Sequence, residues 1–147
     1  MTDDARDRRE KLARQFMSAL PFSKALEMRM DSFGVAEAGM SMPYLKEIIG
    51  DPDTGVVHGG AVSALLDTCG GLAVFLHPEG VAPTATLDLR VDYMRPAKVG
   101  ERINAWAEVY RATRSVAFVR GIAFNTDRDA PVAMLTGAFT FAKAPQT

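Results

Sequence analysis

The sequence predicts an α+β domain in which an antiparallel sheet packs on one long central helix. In the run from Ala61 to Leu76 the only formal charge is Asp67, while Val62, Leu65, Leu66, Cys69, Leu72, Ala73 and Leu76 recur at three- and four-residue steps. That period belongs to a helix with a strong apolar stripe. Further on the period changes to two. From Thr84 to Tyr93, Thr84, Thr86, Asp88, Arg90 and Asp92 alternate with Ala85, Leu87, Leu89, Val91 and Tyr93, as on a half-buried strand with Thr86 on its polar face. Strands grouped on either side of a single helix, rather than alternating with helices, point to an antiparallel sheet and away from a doubly wound one.

The remaining elements follow in chain order. Residues 3 to about 19 mix charges with Leu12, Phe16, Met17 and Leu20, which suits an amphipathic helix on the surface of the domain, ended by Pro21. Pro21 to Leu26 reads as a short turn or helix. Two alternating stretches, about Glu27 to Ala36 and Gly39 to Tyr44, make a hairpin turned at Glu37-Ala38-Gly39. Gly50-Asp51-Pro52-Asp53-Thr54-Gly55 is dense in turn formers and sets a loop before the helix. His77-Pro78-Glu79-Gly80 stops it. After the strand at 84–93, Arg95 to Gly100 is a turn. Strands at Arg102–Tyr110, Ser115–Asn125 and Pro131–Phe141 complete a four-stranded meander. The chain thus divides into an N-terminal helical extension, residues 1–20, and one domain, residues 21–142.

Composition narrows the function classes. With 147 residues, 48% apolar and 24% charged, the chain can bury one real core. Lys and Arg number 17 against 18 Asp and Glu, so net charge gives no sign of a nucleic-acid or anionic-membrane partner. The segment Met1 to Arg9 is too charged for a signal peptide, and no apolar run approaches the ~20 residues of a membrane span. The expected compartment is the cytoplasm. The single cysteine, Cys69, lies in the apolar stripe, where a thiol stays protonated and is a poor nucleophile. Cys69, His77 and Asp67 have no metal-ligand spacing, so no metal is expected.

Asp67 is the informative residue of the helix. At about 100° per residue it falls roughly opposite the centre of the stripe, beside Gly60, Ala64 and Gly71. Small residues there allow close approach by another body, such as a second copy of the chain. A lone carboxylate on such a face needs partners or a functional reason. At the helix start, Gly59 and Gly60 leave the first backbone amides open to a ligand, and unpaired amides with the helix dipole behind them stabilise a developing negative charge.

Gly55-Val56-Val57-His58-Gly59-Gly60, the helix, Asp67 nine residues after His58, and Tyr93-Met94-Arg95-Pro96-Ala97 together resemble the PaaI-like hotdog acyl-CoA thioesterases, from about Pro21 to Phe141. The resemblance implies a hotdog fold, with the sheet wrapped around the central helix, and assembly as a homodimer or homotetramer. It also implies hydrolysis of an acyl-CoA thioester with a small aromatic or medium-chain acyl group. Coenzyme A then enters only as part of the substrate, with no separate cofactor, at a site between two subunits. The implied roles are an oxyanion donor at the Gly59 amide, an orienting or substrate-contacting His58, a nucleophile or general base at Asp67 of the other subunit, and a water-holding hydroxyl at Thr86. Gly60 would lie against the substrate. Arg95, Lys98, Arg111 and Arg114 flank strand ends and could hold the phosphates of coenzyme A, for which guanidinium groups are well shaped.

Two positions depart from the family pattern. Pro52 stands where many relatives carry Asn, six residues before the His, and proline supplies neither a side-chain donor nor a backbone N–H. Glu27 stands where the family usually has Gly. Two other functions compete. A non-catalytic acyl-CoA-binding regulator would not need Asp67 at this offset, and a hotdog dehydratase or hydratase would carry a different His-containing helix motif. Acyl preference is expected to depend on Phe75, Tyr93, Met94 and the partner's helix.

Overall fold

The computed structural model describes residues 2–80 and 82–144. The apolar stripe forms its helix over Gly59–Phe75 (α3), and Val62, Leu65, Leu66, Cys69, Leu72 and Ala73 are all buried there. Removing any of the three leucines to alanine would cost about 2–5 kcal/mol, the usual range for a filled core position. Before α3 come α1 (Asp3–Ser18), α2 (Pro21–Ala25), β1 (Arg29–Phe33), β2 (Glu37–Met42) and a short 3-10 turn, Lys46–Ile48. After it come β3 (Thr86–Tyr93), β4 (Ile103–Ala112), β5 (Val116–Phe124) and β6 (Ala133–Thr140).

The six strands make one antiparallel sheet in the order β1-β2-β4-β5-β6-β3. It curls around α3, which packs on β2, β4 and β5 and more lightly on β3 and β6. This is the hotdog arrangement, and the α+β class stands. Helix α1 lies against the far end of α3: Phe16 stacks on Phe75 with ring centroids 4.9 Å apart, and Arg9 Nη1 donates to the Leu76 carbonyl at 3.1 Å. Among the described residues no helix is long and apolar enough to cross a membrane.

The sheet differs from a simple meander. Only β4, β5 and β6 are joined in that way. Strand β3 pairs with β6, from Thr86 opposite Phe139 to Tyr93 opposite Ala133, and forms the sheet edge. The connection between β3 and β4 explains this: residues 94–102 carry Pro96 and Gly100, the latter at φ +80°, and make a crossing link rather than a hairpin. At the edge, Leu87 and Tyr93 are 58% and 52% exposed, so only Leu89 and Val91 meet the core as a half-buried strand should.

The first hairpin also turns earlier than its residue pattern indicates. Glu37, Ala38 and Gly39 lie within β2, paired with Glu108, Ala107 and Trp106. The turn is Gly34-Val35-Ala36, closed by Gly34 N–H donating to Glu37 O at 3.0 Å, with Ala36 at φ +57°. An alanine in the left-handed region gives no sequence signal for a turn.

Glu27 acquires a physical meaning here. It follows α2 with φ +52°, its N–H donating to Lys24 O (3.0 Å) while Met28 N–H donates to Ser23 O (2.9 Å). That pair of bonds is a Schellman motif, in which the left-handed residue is normally glycine. The family glycine fits the position without strain, and this chain holds a glutamate there.

Candidate active site

The start of α3 is built from its own sequence. His58 occupies the N-cap in extended conformation, φ −60° and ψ 131°, and its Nδ1 accepts the Gly60 N–H at 2.8 Å. In the neutral ring the proton therefore sits on Nε2. A Cβ at residue 60 would lie 2.8 Å from that same Nδ1, so the cap requires glycine. Behind the turn, His58 N–H donates to Ile48 O (2.8 Å), and Ala61 N–H donates to His58 O at 3.0 Å. Gly59 N–H is left without an acceptor among the described residues, at the positive end of a helix of 17 residues. That is a preorganised donor for an oxyanion.

Tyr93, at the end of β3, holds this turn from the sheet. Its hydroxyl donates to Gly59 O at 2.7 Å and is also hydrogen-bonded to the Ser63 hydroxyl. Its ring lies so close that a Cβ at residue 59 would stand 3.2 Å from Tyr93 Cε1. The strand alternation put Tyr93 on the inner face but could not reveal this contact, which depends on how β3 is placed against α3. The missing Cβ at Gly59 was the only hint of a close neighbour.

Asp67 lies eight residues beyond Gly59, about 12 Å along the axis at 1.5 Å per residue. It is half-buried, and Thr86 Oγ1 donates to its Oδ1 at 2.6 Å. Thr86 reaches it because β3 is irregular between Thr86 and Asp88. Such a bulge re-aims side chains: Thr86 turns toward α3, Leu87 turns outward, and Thr86 does not sit on the polar face that strict alternation assigns to it. A cavity of about 250 Å³ opens beside the pair, lined also by Thr68, Phe16, Leu20 and Phe22.

The site residues thus fall into two groups on one helix. His58, Gly59 and Gly60 are together at its start, with Tyr93; Asp67 and Thr86 are together two turns on. No small thioester can touch both groups of one chain at once.

The basic residues do not converge within the chain. Exposed Arg95 donates to Ala130 O (2.7 Å) and Pro96 O (3.2 Å), and Lys98 pairs with Glu101 at 3.1 Å, both before β4 begins. Arg111 and Arg114 are exposed at the other end of that strand, and ten residues of strand span about 30 Å. Around Pro52, Asp51 accepts the Thr54 hydroxyl (2.7 Å) and Asp53 N–H (3.0 Å), and these bonds hold its carboxyl below the usual value. The loop is therefore closed on itself. Burial pushes the Cys69 thiol up to about 12, and its S–H points at Ala38 O, 3.4 Å away. Among the described residues no three His, Cys, Asp or Glu side chains converge as a metal site would need.

Residues 54–132, just over half of the chain, match the thioesterase superfamily. The chain belongs to that superfamily. The matched span holds every residue of both groups described above. Among relatives of this superfamily member, a Salmonella typhimurium protein described as the medium/long-chain acyl-CoA thioesterase YigI is 28% identical over 126 residues, covering 77% of this chain and 81% of that protein. A crystal structure of a Pseudomonas aeruginosa protein is 39% identical with a TM-score of 0.78, covering 87% of this chain and 95% of the other. A variant of the phenylacetic acid degradation protein PaaI from Thermus thermophilus is 28% identical with a TM-score of 0.72, covering 82% and 98%. The PaaI-like resemblance read from the motifs is thus found in whole-chain structure as well.

Proposed function

We propose that this thioesterase superfamily member hydrolyses acyl-CoA thioesters to the free acid and coenzyme A, at a site completed by two copies of the chain. The observation that carries the proposal is the separation of the free Gly59 N–H from the Asp67–Thr86 pair by about 12 Å of helix. An oxyanion donor and a general base must both lie within about 3 Å of the reacting atoms. Two α3 helices packed through their small-residue faces, running in opposite directions, bring the Gly59 of one protomer to the Asp67 of its partner. This reading implies self-association as a dimer, or as a tetramer made of two such dimers.

In this mechanism the thioester oxygen accepts the Gly59 N–H. Asp67 of the partner takes a proton from a water held beside the Thr86 hydroxyl. The water oxygen bonds to the acyl carbon, and the charge that develops on the carbonyl oxygen is stabilised by the amide and the helix dipole. Collapse breaks the carbon–sulfur bond, and the thiolate leaves with the proton that Asp67 received. His58 and Gly60 shape the turn, and His58 acts through the position it gives Gly59. Arg95, Lys98 and Arg114 remain proposed phosphate contacts for the coenzyme, with Arg114 serving only if the partner subunit brings it near. Function in the cytoplasm accords with the single buried thiol.

The relative described as a medium/long-chain acyl-CoA thioesterase supports the substrate class. The test is thiol release from a panel of acyl-CoA esters by wild type and by Asp67→Asn, with folding and oligomeric state checked for both. Hydrolysis by wild type and a loss of about 10²- to 10⁴-fold in the variant is expected. Tight binding of the esters with no thiol release by wild type would replace the enzyme by an acyl-CoA sensor.

A further inference from the structure

The 250 Å³ cavity beside Asp67 lies between α3, the start of β3 and the junction of α1 with α2. Asp67, Thr68 and Thr86 line it from α3 and β3, and the α1–α2 junction brings Phe16, Leu20 and Phe22 to it, with Ser23 beside them. Phe16 is fixed by its stack on Phe75. Leu20 and Phe22 flank Pro21, whose ring locks the backbone at the junction. A thioester carbonyl within reach of Asp67 carries the large, charged coenzyme on one side and the acyl group on the other. The charged part keeps its hydration, and the acyl part gains by leaving water.

We infer that the α1–α2 junction is the acyl pocket, with Leu20 and Phe22 as the residues that set chain length. This rests on the thioesterase function proposed above and names its substrate class. The cavity is of limited size, about 250 Å³, and Phe16, Leu20 and Phe22 give it an apolar wall. An uncharged acyl chain gains by entering it up to the length that Leu20 and Phe22 allow, whereas a charged acyl group would lose hydration there. Phe75, expected from the sequence to shape the pocket directly, acts from behind Phe16. Tyr93 is engaged with Gly59 instead.

The test is kcat/KM across straight-chain acyl-CoA esters from short to long, for wild type, Leu20→Ala, Phe22→Ala and Leu20→Trp. Phe22 is 61% exposed in the single chain, so its replacement leaves the core intact. Both alanine variants should raise the long-to-medium ratio by about tenfold or more, and Leu20→Trp should lower it by a similar factor, since one methylene in an apolar pocket commonly changes the rate that much. Opposite shifts from enlarging and narrowing variants would not come from a general loss of structure. An active wild type whose chain-length profile none of the three variants moves overturns the pocket and leaves the thioesterase standing. A wild type that hydrolyses no ester overturns the proposed function, and the pocket with it.

Discussion

Thr86 Oγ1 donates a 2.6 Å hydrogen bond to Asp67 Oδ1, joining the edge strand to the central helix at the one charged position of its apolar run. The bond depends on the bulge that turns Thr86 inward. Among the described residues Asp67 Oδ2 accepts no hydrogen bond, so it can face a water while the Thr86 bond fixes the carboxylate's orientation. Thr86→Val should therefore lower kcat by about ten- to a hundredfold, the range for a hydrogen bond to a charged group. Thr86→Ser should recover most of that loss. A steady-state comparison of the two variants checks it; equal activity in both would remove Thr86 from the mechanism.

At Gly59 the backbone amide can be deleted without breaking the helix. The position is the first of α3, and His58 before it already has the extended conformation that a following proline demands. Gly59→Pro should keep the helix and cost about 10²- to 10³-fold in kcat, as for loss of one oxyanion donor. Gly59→Ala keeps the N–H and asks only that Tyr93 give way by a few tenths of an ångström from its 3.2 Å contact. It should lose much less. Circular dichroism and thiol-release kinetics on the two variants separate the amide from the space around it.

Glu27 should be a site of easy stabilisation. Held at φ +52° in the Schellman turn, it carries the strain of a left-handed non-glycine residue, about 1–2 kcal/mol. Glu27→Gly relieves that strain, against which the greater freedom of glycine in the unfolded chain must be set. A net gain of about 0.5–1 kcal/mol is expected, read as a raised denaturant midpoint with an unchanged slope.

Cys69 gives the folded state an alkaline limit. Its thiol is pushed up to about 12 by burial, against about 8.5 in an unfolded chain. Above pH 8.5 the unfolded state has released a proton that the folded state retains, so stability falls as pH rises, by at most about 1.4 kcal/mol per unit. Cys69→Ala should flatten that part of the stability curve. In the native enzyme a thiol alkylating reagent at pH 8 should label Cys69 only as fast as the chain opens.

Much of the fold was legible because α3 is written in a single period interrupted by a single charge, and because the strands after it keep a two-residue alternation over most of their length. The pairing of β3 with β6 was not legible, since alternation gives a strand its faces but not its neighbours. The same holds for Thr86: a bulge reverses its face, and no residue type in Thr86-Leu87-Asp88 announces one. The turn at Ala36 and the strain at Glu27 share a cause, ordinary residues held at positive φ by their surroundings. Of the candidate site, Asp67 stood out as the lone charge of its helix and Gly59 and Gly60 as missing side chains at its start, while His58 entered through the motif that carries the family resemblance. The hold of Tyr93 on the turn, and the approach of Leu20 and Phe22 to Asp67, arise only when distant segments meet.

The central claim, a thioester held between Gly59 of one protomer and Asp67 of its partner, is tested most directly by subunit complementation. Gly59→Pro and Asp67→Asn chains, each nearly inactive alone, are co-expressed with different affinity tags, and mixed dimers are purified through both. A shared site predicts about half of wild-type turnover, because each mixed dimer contains one site with both groups intact. Mixed dimers as inactive as their parents would contradict it and return both groups to a single chain.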